Sequence, residues 1–108
     1  MPSFDENTWT ITNDASGAWY EPGAFAIKTF QVYNPSGCTW EVQGTLYDPS
    51  GAGGETPIII DTGADLAKGF IDVGAWEWVR FNVTAGTGET KCALRSYSTA
   101  TQGPPKAA

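Results

Sequence analysis

A chain of 108 residues that is 41% hydrophobic, 13% aromatic and 17% charged has the size and composition of one folded domain, which excludes a disordered chain and leaves no room for two cores. Its net charge of −6, from twelve Asp and Glu against six Lys and Arg, comes without any basic run and so excludes a nucleic-acid surface, because phosphate affinity rests on Lys and Arg. With no histidine, Ser-His-Asp and Cys-His catalysis, a histidine base and a histidine metal ligand are excluded as well.

No apolar run reaches the ~20 residues of a membrane helix, and Met1-Pro2-Ser3-Phe4-Asp5-Glu6 lacks the basic and apolar regions of a signal peptide. The expectation is a soluble protein made in a cytoplasm, without membrane or nucleic-acid partners. Thr8 to Asn13 sets Trp9 and Ile11 between threonines, a β-branched alternation that predicts a short strand ending at Asn13-Asp14. Ser16-Gly17 and Pro22-Gly23 punctuate the next segment, in which Trp19 and Tyr20 either cover a sheet end or lie on the surface.

From Phe25 to Tyr33 apolar residues lie on both faces, Phe25 and Ile27 on one and Phe30 and Val32 on the other. The period shifts near Lys28 and Thr29, and a β-bulge is expected there. Asn34-Pro35-Ser36-Gly37 places proline where a turn needs its fixed φ and is expected to join two strands as a hairpin. Cys38 to Asp48 is the clearest amphipathic strand: Cys38, Trp40, Val42, Gly44 and Leu46 face the core, with Thr39, Glu41, Gln43, Thr45 and Tyr47 opposite.

Asp48-Pro49-Ser50-Gly51-Ala52-Gly53-Gly54 is a loop by composition, suited to a mobile tip or to lying flat on a partner. Pro57 to Asp61 predicts a short, more fully buried strand, and Ala67 to Val73 another around Phe70. In Ala75 to Thr84, Val79, Phe81 and Val83 alternate with Trp78, Arg80 and Asn82, the period of a strand with one face on a core. Trp76, Trp78 and Arg80 are expected to share its other face, and such residues anchor interfaces. Through Gly86-Thr87-Gly88 this strand is expected to form a hairpin with Thr90 to Tyr97, which carries Cys92 and Leu94 on one face. Residues 98–108 have no apolar period and two consecutive prolines, so they read as a flexible tail or arm after a single domain over 1–97.

No segment shows a capped helical period. Strands at this spacing predict an all-β protein, an antiparallel β-sandwich of Ig-like or jelly-roll-like type with six to eight strands and extended termini. Cys38 and Cys92 are too few for a metal site. Either they bridge, closing a long loop for roughly 4 kcal/mol on the chain-entropy model, or they stay reduced and pack as small apolar groups.

Ile58-Ile59-Ile60-Asp61-Thr62-Gly63-Ala64 resembles the active-site strand of retroviral-type aspartic proteases, which implies Asp61 as one of two aspartates sharing a proton in a homodimer. The glycine-rich flap and the later apolar-apolar-glycine strand of that family are missing, so an apolar strand ending in an Asp-Thr-Gly turn is the preferred reading. Asp61, Asp65 and Asp72 match no calcium loop and read as a solvated acidic edge. Asn82-Val83-Thr84 fits the glycosylation pattern but lies within a strand. No cofactor or metal is expected.

The aromatic residues are the remaining signal. They suit either a protein interface or a carbohydrate-binding module, in which sugars stack on surface tryptophans and Glu77, Asn82 and Gln43 bond hydroxyls. Between residues 25 and 97, Phe30-Gln31-Val32, then Val42-Gln43-Gly44-Thr45-Leu46-Tyr47-Asp48, then the stretch from Trp78 to Gly88 resemble small β-sandwich virion proteins of tailed phages. The resemblance implies a non-enzymatic structural protein, foremost a capsid decoration or cement protein on the outer surface of the shell. Its partner would be the major capsid protein, and it would self-associate as a dimer or trimer. The candidate contact residues are Trp76, Trp78, Arg80, Trp19 and Tyr20.

Overall fold

The computed structural model describes residues 4–22, 27–50 and 56–97. Eight strands lie among them: β1 (Phe4–Thr12), β2 (Ala15–Ser16), β3 (Ile27–Tyr33), β4 (Thr39–Thr45), β5 (Ile58–Gly63), β6 (Ala67–Asp72), β7 (Trp78–Ala85) and β8 (Glu89–Tyr97). They form two four-stranded sheets in the orders β1-β8-β3-β6 and β2-β7-β4-β5, and each strand pairing is antiparallel. The expected all-β sandwich is therefore present. Its strand order, in which the chain switches sheet at every connection but β4 to β5, is that of a jelly roll.

The inner faces carry the core. Trp9 and Ile11 of β1, Phe30 and Val32 of β3, Trp40 and Val42 of β4, Val79, Phe81 and Val83 of β7, and Cys92 and Leu94 of β8 are all buried. Alternation along β1, β4, β7 and β8 thus assigned these faces correctly. It did not assign strand partners. β7 and β8 lie in different sheets, as do β3 and β4, so neither expected hairpin forms. Each of these strands buries one whole row, and crossing to the other sheet lets consecutive rows meet across the core instead of lying side by side. Gly86 and Gly88, at φ 118° and 103°, give the β7–β8 crossing a backbone that other residues rarely adopt.

The Asn34–Gly37 turn is present, closed by Gly37 N donating to Asn34 O at 3.1 Å. Asn34 does more than begin the turn. Its buried amide donates from Nδ2 to Cys38 O (2.6 Å) and Asp65 O (3.1 Å), while Oδ1 accepts from Cys38 N (2.9 Å) and Thr90 Oγ1 (3.1 Å). One side chain thereby ties the β3–β4 crossing to the β5–β6 connection and to β8, with two donors and two acceptor positions all used. Asn34→Leu strands these buried partners and is expected to lower the unfolding free energy by about 3 kcal/mol, read from denaturant midpoints.

Three further expectations are corrected. The ladder registers of β3 run without a shift, so there is no bulge at Lys28 and Thr29. Instead Lys28 occupies an inward position with Phe30 and Val32, is fully buried, and donates from Nζ to Gly74 O. A regular strand that buries a lysine reads in sequence as a strand that slips. β5 is not a buried strand: it is the edge of its sheet, with Ile58 and Ile59 56% and 54% exposed. Leu46 lies beyond the end of β4 and is 62% exposed, whereas Thr45 is buried. The period of β4 ends with its ladder. Phe25, the loop tip from Gly51 to Gly54 and the tail 98–108 lie outside the described residues.

Candidate functional site

The outer face of the β2-β7-β4-β5 sheet gathers the side chains that the core does not use. Register sets Trp78 opposite Thr45, Arg80 opposite Gln43 and Asn82 opposite Glu41, and sets Gln43 opposite Ile59 and Glu41 opposite Thr62 on the edge strand. The polar members bond in series: Arg80 Nε donates to Gln43 Oε1 at 2.8 Å, and Gln43 Nε2 donates to Glu41 Oε2 at 2.7 Å. The Arg80 guanidinium also lies over the Trp19 ring, 4.3 Å from its centroid, a cation–π contact. Burial lowers the Arg80 pKa and the nearby Glu41 opposes that shift, but a guanidinium stays charged in proteins.

The segment after β2 brings Trp19 there. Gly17 N donates to Phe81 O at 2.9 Å, and Tyr20 and Val79 exchange both backbone bonds, at 2.8 and 2.9 Å. Between these anchors Ala18 and Trp19 leave the ladder of β7, and Ala18 O accepts from Trp9 Nε1 at 2.8 Å. The close approach needs a glycine: a Cβ at Gly17 would lie 2.3 Å from Phe81 O and 2.7 Å from Trp9 Cδ1. Gly17→Ala is expected to cost about 1–3 kcal/mol by overpacking and to release Trp19 from Arg80, read as a change in near-ultraviolet dichroism.

The five candidate contact residues divide. Trp78, Arg80 and Trp19 are half-buried on the outer face. Trp76 is not among them, because Ala75 to Glu77 precede β7 and do not share its alternation. Its ring packs against the core, and Nε1 donates to Asp72 Oδ2 at 3.0 Å. Tyr20 also turns inward, edge-on to Trp9 with centroids 6.3 Å apart. Burial, then Asp5, pushes its phenol pKa well above the ordinary value. At the Trp78 end of the sheet Leu46 and Tyr47 are more than half exposed, and on the edge strand Ile59, opposite Gln43, is more than half exposed as well.

Asp61 lies within β5, not in a turn, and pairs with Lys68 at 3.0 Å; the Lys68 ammonium also sits 5.8 Å from the Trp40 ring. That pair links the edge strands of the two sheets, an inward charge of the kind that guards sheet edges. Asp72 accepts from Gly74 N and Trp76 Nε1, and Asp65 is exposed. Among the described residues no three His, Cys, Asp or Glu side chains are grouped to hold a metal. Asn82 is buried, its Oδ1 accepting from Gly17 N at 3.2 Å.

No family profile and no curated protein sequence matches this chain. Among solved structures, the SPBc2 prophage-derived protein YomS superposes with a TM-score of 0.67 at 15% identity, over 91% of this chain and 97% of that one. The chain has the fold of a prophage-derived protein. At that identity the likeness is one of fold. A Bacillus endospore appendage protein (TM-score 0.39, 17% identity, 91% of each chain) and the Yersinia pseudotuberculosis-derived mitogen (0.42, 11%, 97% of this chain and 93% of that one) are more distant.

Cys38 and Cys92 are both buried free thiols, so the expected alternative of a bridge is not realised. Cys38 Sγ donates to Thr87 O at 3.4 Å, and burial pushes the Cys92 thiol up to about 12. The unfolded thiol, near its ordinary value, ionises first. The Cys92 contribution to stability is thus fully present below about pH 8.5 and is lost as pH rises toward 12. The expected outcome is an unfolding free energy that falls across that window, less steeply in Cys92→Ala, and a Cys92 that resists alkylation until the protein unfolds.

Proposed function

We propose that this protein is a non-enzymatic structural virion protein, and specifically a capsid decoration protein that seats the outer face of its β2-β7-β4-β5 sheet on the major capsid protein shell. One observation carries the reading: Trp78, Arg80 and Trp19, all part-exposed, lie together on the outer sheet face. Tryptophan and arginine dominate interface hot spots, and a two-sheet sandwich is a rigid support for them. The fold shared with a prophage-derived protein supports a viral setting. A net charge of −6 favours encounter with a basic outer shell surface. Self-association as a dimer or trimer belongs to the same reading, since capsid symmetry offers two-fold and three-fold positions, and the exposed Ile58 and Ile59 edge suits it. Location on the virion surface follows from the role.

The test is shell stability. Saturating protein should bind expanded or mature shells of the encoding virus and raise their melting temperature; shells that melt unchanged would contradict decoration. A carbohydrate-binding reading draws on a different observation, the row of Trp78, Gln43 and Glu41 as ring and hydroxyl partners. One face of Trp19 is already covered by Arg80, so a sugar would have to stack on Trp78. Retention in a polysaccharide affinity gel, lost in Trp78→Ala, would favour that reading.

A further inference from the structure

Arg80 is unusual in its partners. The chain has twice as many acidic as basic residues, and Lys68, Lys91 and Arg95 each pair with a carboxylate, on Asp61, Glu89 and Glu6. Arg80 forms no such pair among the described residues. The nearest acid along its row, Glu41, is turned to Gln43 Nε2 instead. Arg80 is nonetheless held firmly, by Nε on Gln43 Oε1 and by its plane on Trp19, and Trp19 is itself fixed between the Gly17 and Tyr20 anchors.

A guanidinium fixed through Nε and one face keeps its two terminal nitrogens as a planar fork, the geometry that binds a carboxylate by two parallel hydrogen bonds. Pre-organisation lowers the ordering cost of binding. Beside it, Trp78 offers an apolar surface that partly excludes water and strengthens the pair.

We infer that Arg80 is a pre-organised carboxylate receptor, and that its occupant is an Asp or Glu side chain on the partner protein, seated with a neighbouring apolar side chain against Trp78. The inference deepens the contact-face reading above and rests on it. A partner polypeptide is favoured over an acidic sugar because Arg80 takes up one face of Trp19, which leaves Trp78 as the ring best placed for stacking, whereas one ring and a fork suffice for an apolar and an acidic side chain. A second copy of this chain is disfavoured because it brings a like net charge. The acidic surface as a whole governs long-range attraction to a basic shell, and the single carboxylate sets register at short range.

The test uses the side-chain Nε–H resonances of the intact protein, which number few because Arg80 and Arg95 are its arginines. Arg95 is paired with Glu6 and serves as the internal control. Titration with N-acetyl-Glu-Leu-amide should shift the Arg80 signal saturably at millimolar concentration and leave Arg95 in place. N-acetyl-Gln-Leu-amide should shift neither. Arg80→Lys, which keeps the charge and loses the fork, should weaken the Glu peptide at least tenfold, followed by the indole N–H signals of Trp19 and Trp78, with native far-ultraviolet dichroism retained.

Equal responses to the Glu and Gln peptides, or no saturable shift, would overturn the inference. A saturable response to oligoglucuronate stronger than to the Glu peptide would overturn the polypeptide occupant. Shell binding separates the two readings. If wild type binds shells and Arg80→Lys binds them equally, the carboxylate receptor is wrong and decoration stands. If wild type ignores shells yet titrates with the Glu peptide, the receptor stands and decoration is wrong.

Discussion

Trp40→Ala is expected to lower the unfolding free energy by about 3–5 kcal/mol, the range for truncating a buried large aromatic. Trp40 is fully buried, stacked on Phe70 at 6.3 Å and tilted on Phe81 at 5.9 Å. It therefore joins β4 to strands of both sheets, and the Lys68 ammonium covers it at the sandwich edge. Against a total stability of about 5–15 kcal/mol for a domain of this kind, the loss would leave the variant marginal at room temperature. Its indole N–H is buried without an acceptor among the described residues. Trp40→Phe removes that unsatisfied donor along with some volume, and the two effects oppose each other. It should cost less than about 2 kcal/mol, and chemical denaturation of both variants checks the order. An equal loss in the two would mean that contacts of the indole's second ring dominate.

Trp78→Ala and Arg80→Ala should each weaken partner binding by about 2 kcal/mol or more, at least roughly thirtyfold, with folding stability nearly unchanged. Both side chains are half-buried on the outer face, so their truncation opens no cavity in the core. Arg80→Ala frees Gln43 and uncovers Trp19, a local cost. Trp76→Ala should behave in the opposite way: it removes core packing and a hydrogen bond to Asp72, so stability falls and binding follows only through folding. Equilibrium binding measured beside thermal unfolding for the three variants separates the two classes. Their effects on binding are not expected to add, because Trp78 and Arg80 neighbour each other on one strand.

Much of this was legible in the sequence. Strict alternation in β1, β4, β7 and β8 gave the buried rows, and turn chemistry located the breaks at Asn34–Gly37 and Gly86–Gly88. Alternation reports which face of a strand is apolar and nothing about which strand lies beside it. Consequently β7 and β8 looked like a hairpin, although their chain crosses the sandwich. Three consecutive isoleucines looked buried because β-branched residues favour strands whether at an edge or at the centre. Lys28 looked like a break in period because a lysine at an inward position contradicts the pattern that defines the strand.

The candidate face was legible in part. Trp78 and Arg80 followed from β7 itself. Trp76 was assigned to the same face by extending the alternation past the start of the ladder, where it no longer holds. The contact between Trp19 and Arg80 had no local signal, since β2 is two residues long and the pairing of Tyr20 with Val79 is a single bridge. Asn34 was visible as a turn residue, but its four partners come from three parts of the chain.

The most direct measurement is a reconstruction of shells incubated with excess protein. Ordered density that fits the jelly roll is expected on the outer shell surface, with Trp78, Arg80 and Trp19 turned toward the major capsid protein. Shells without added density, or a bound domain that presents this face to solvent, would contradict it.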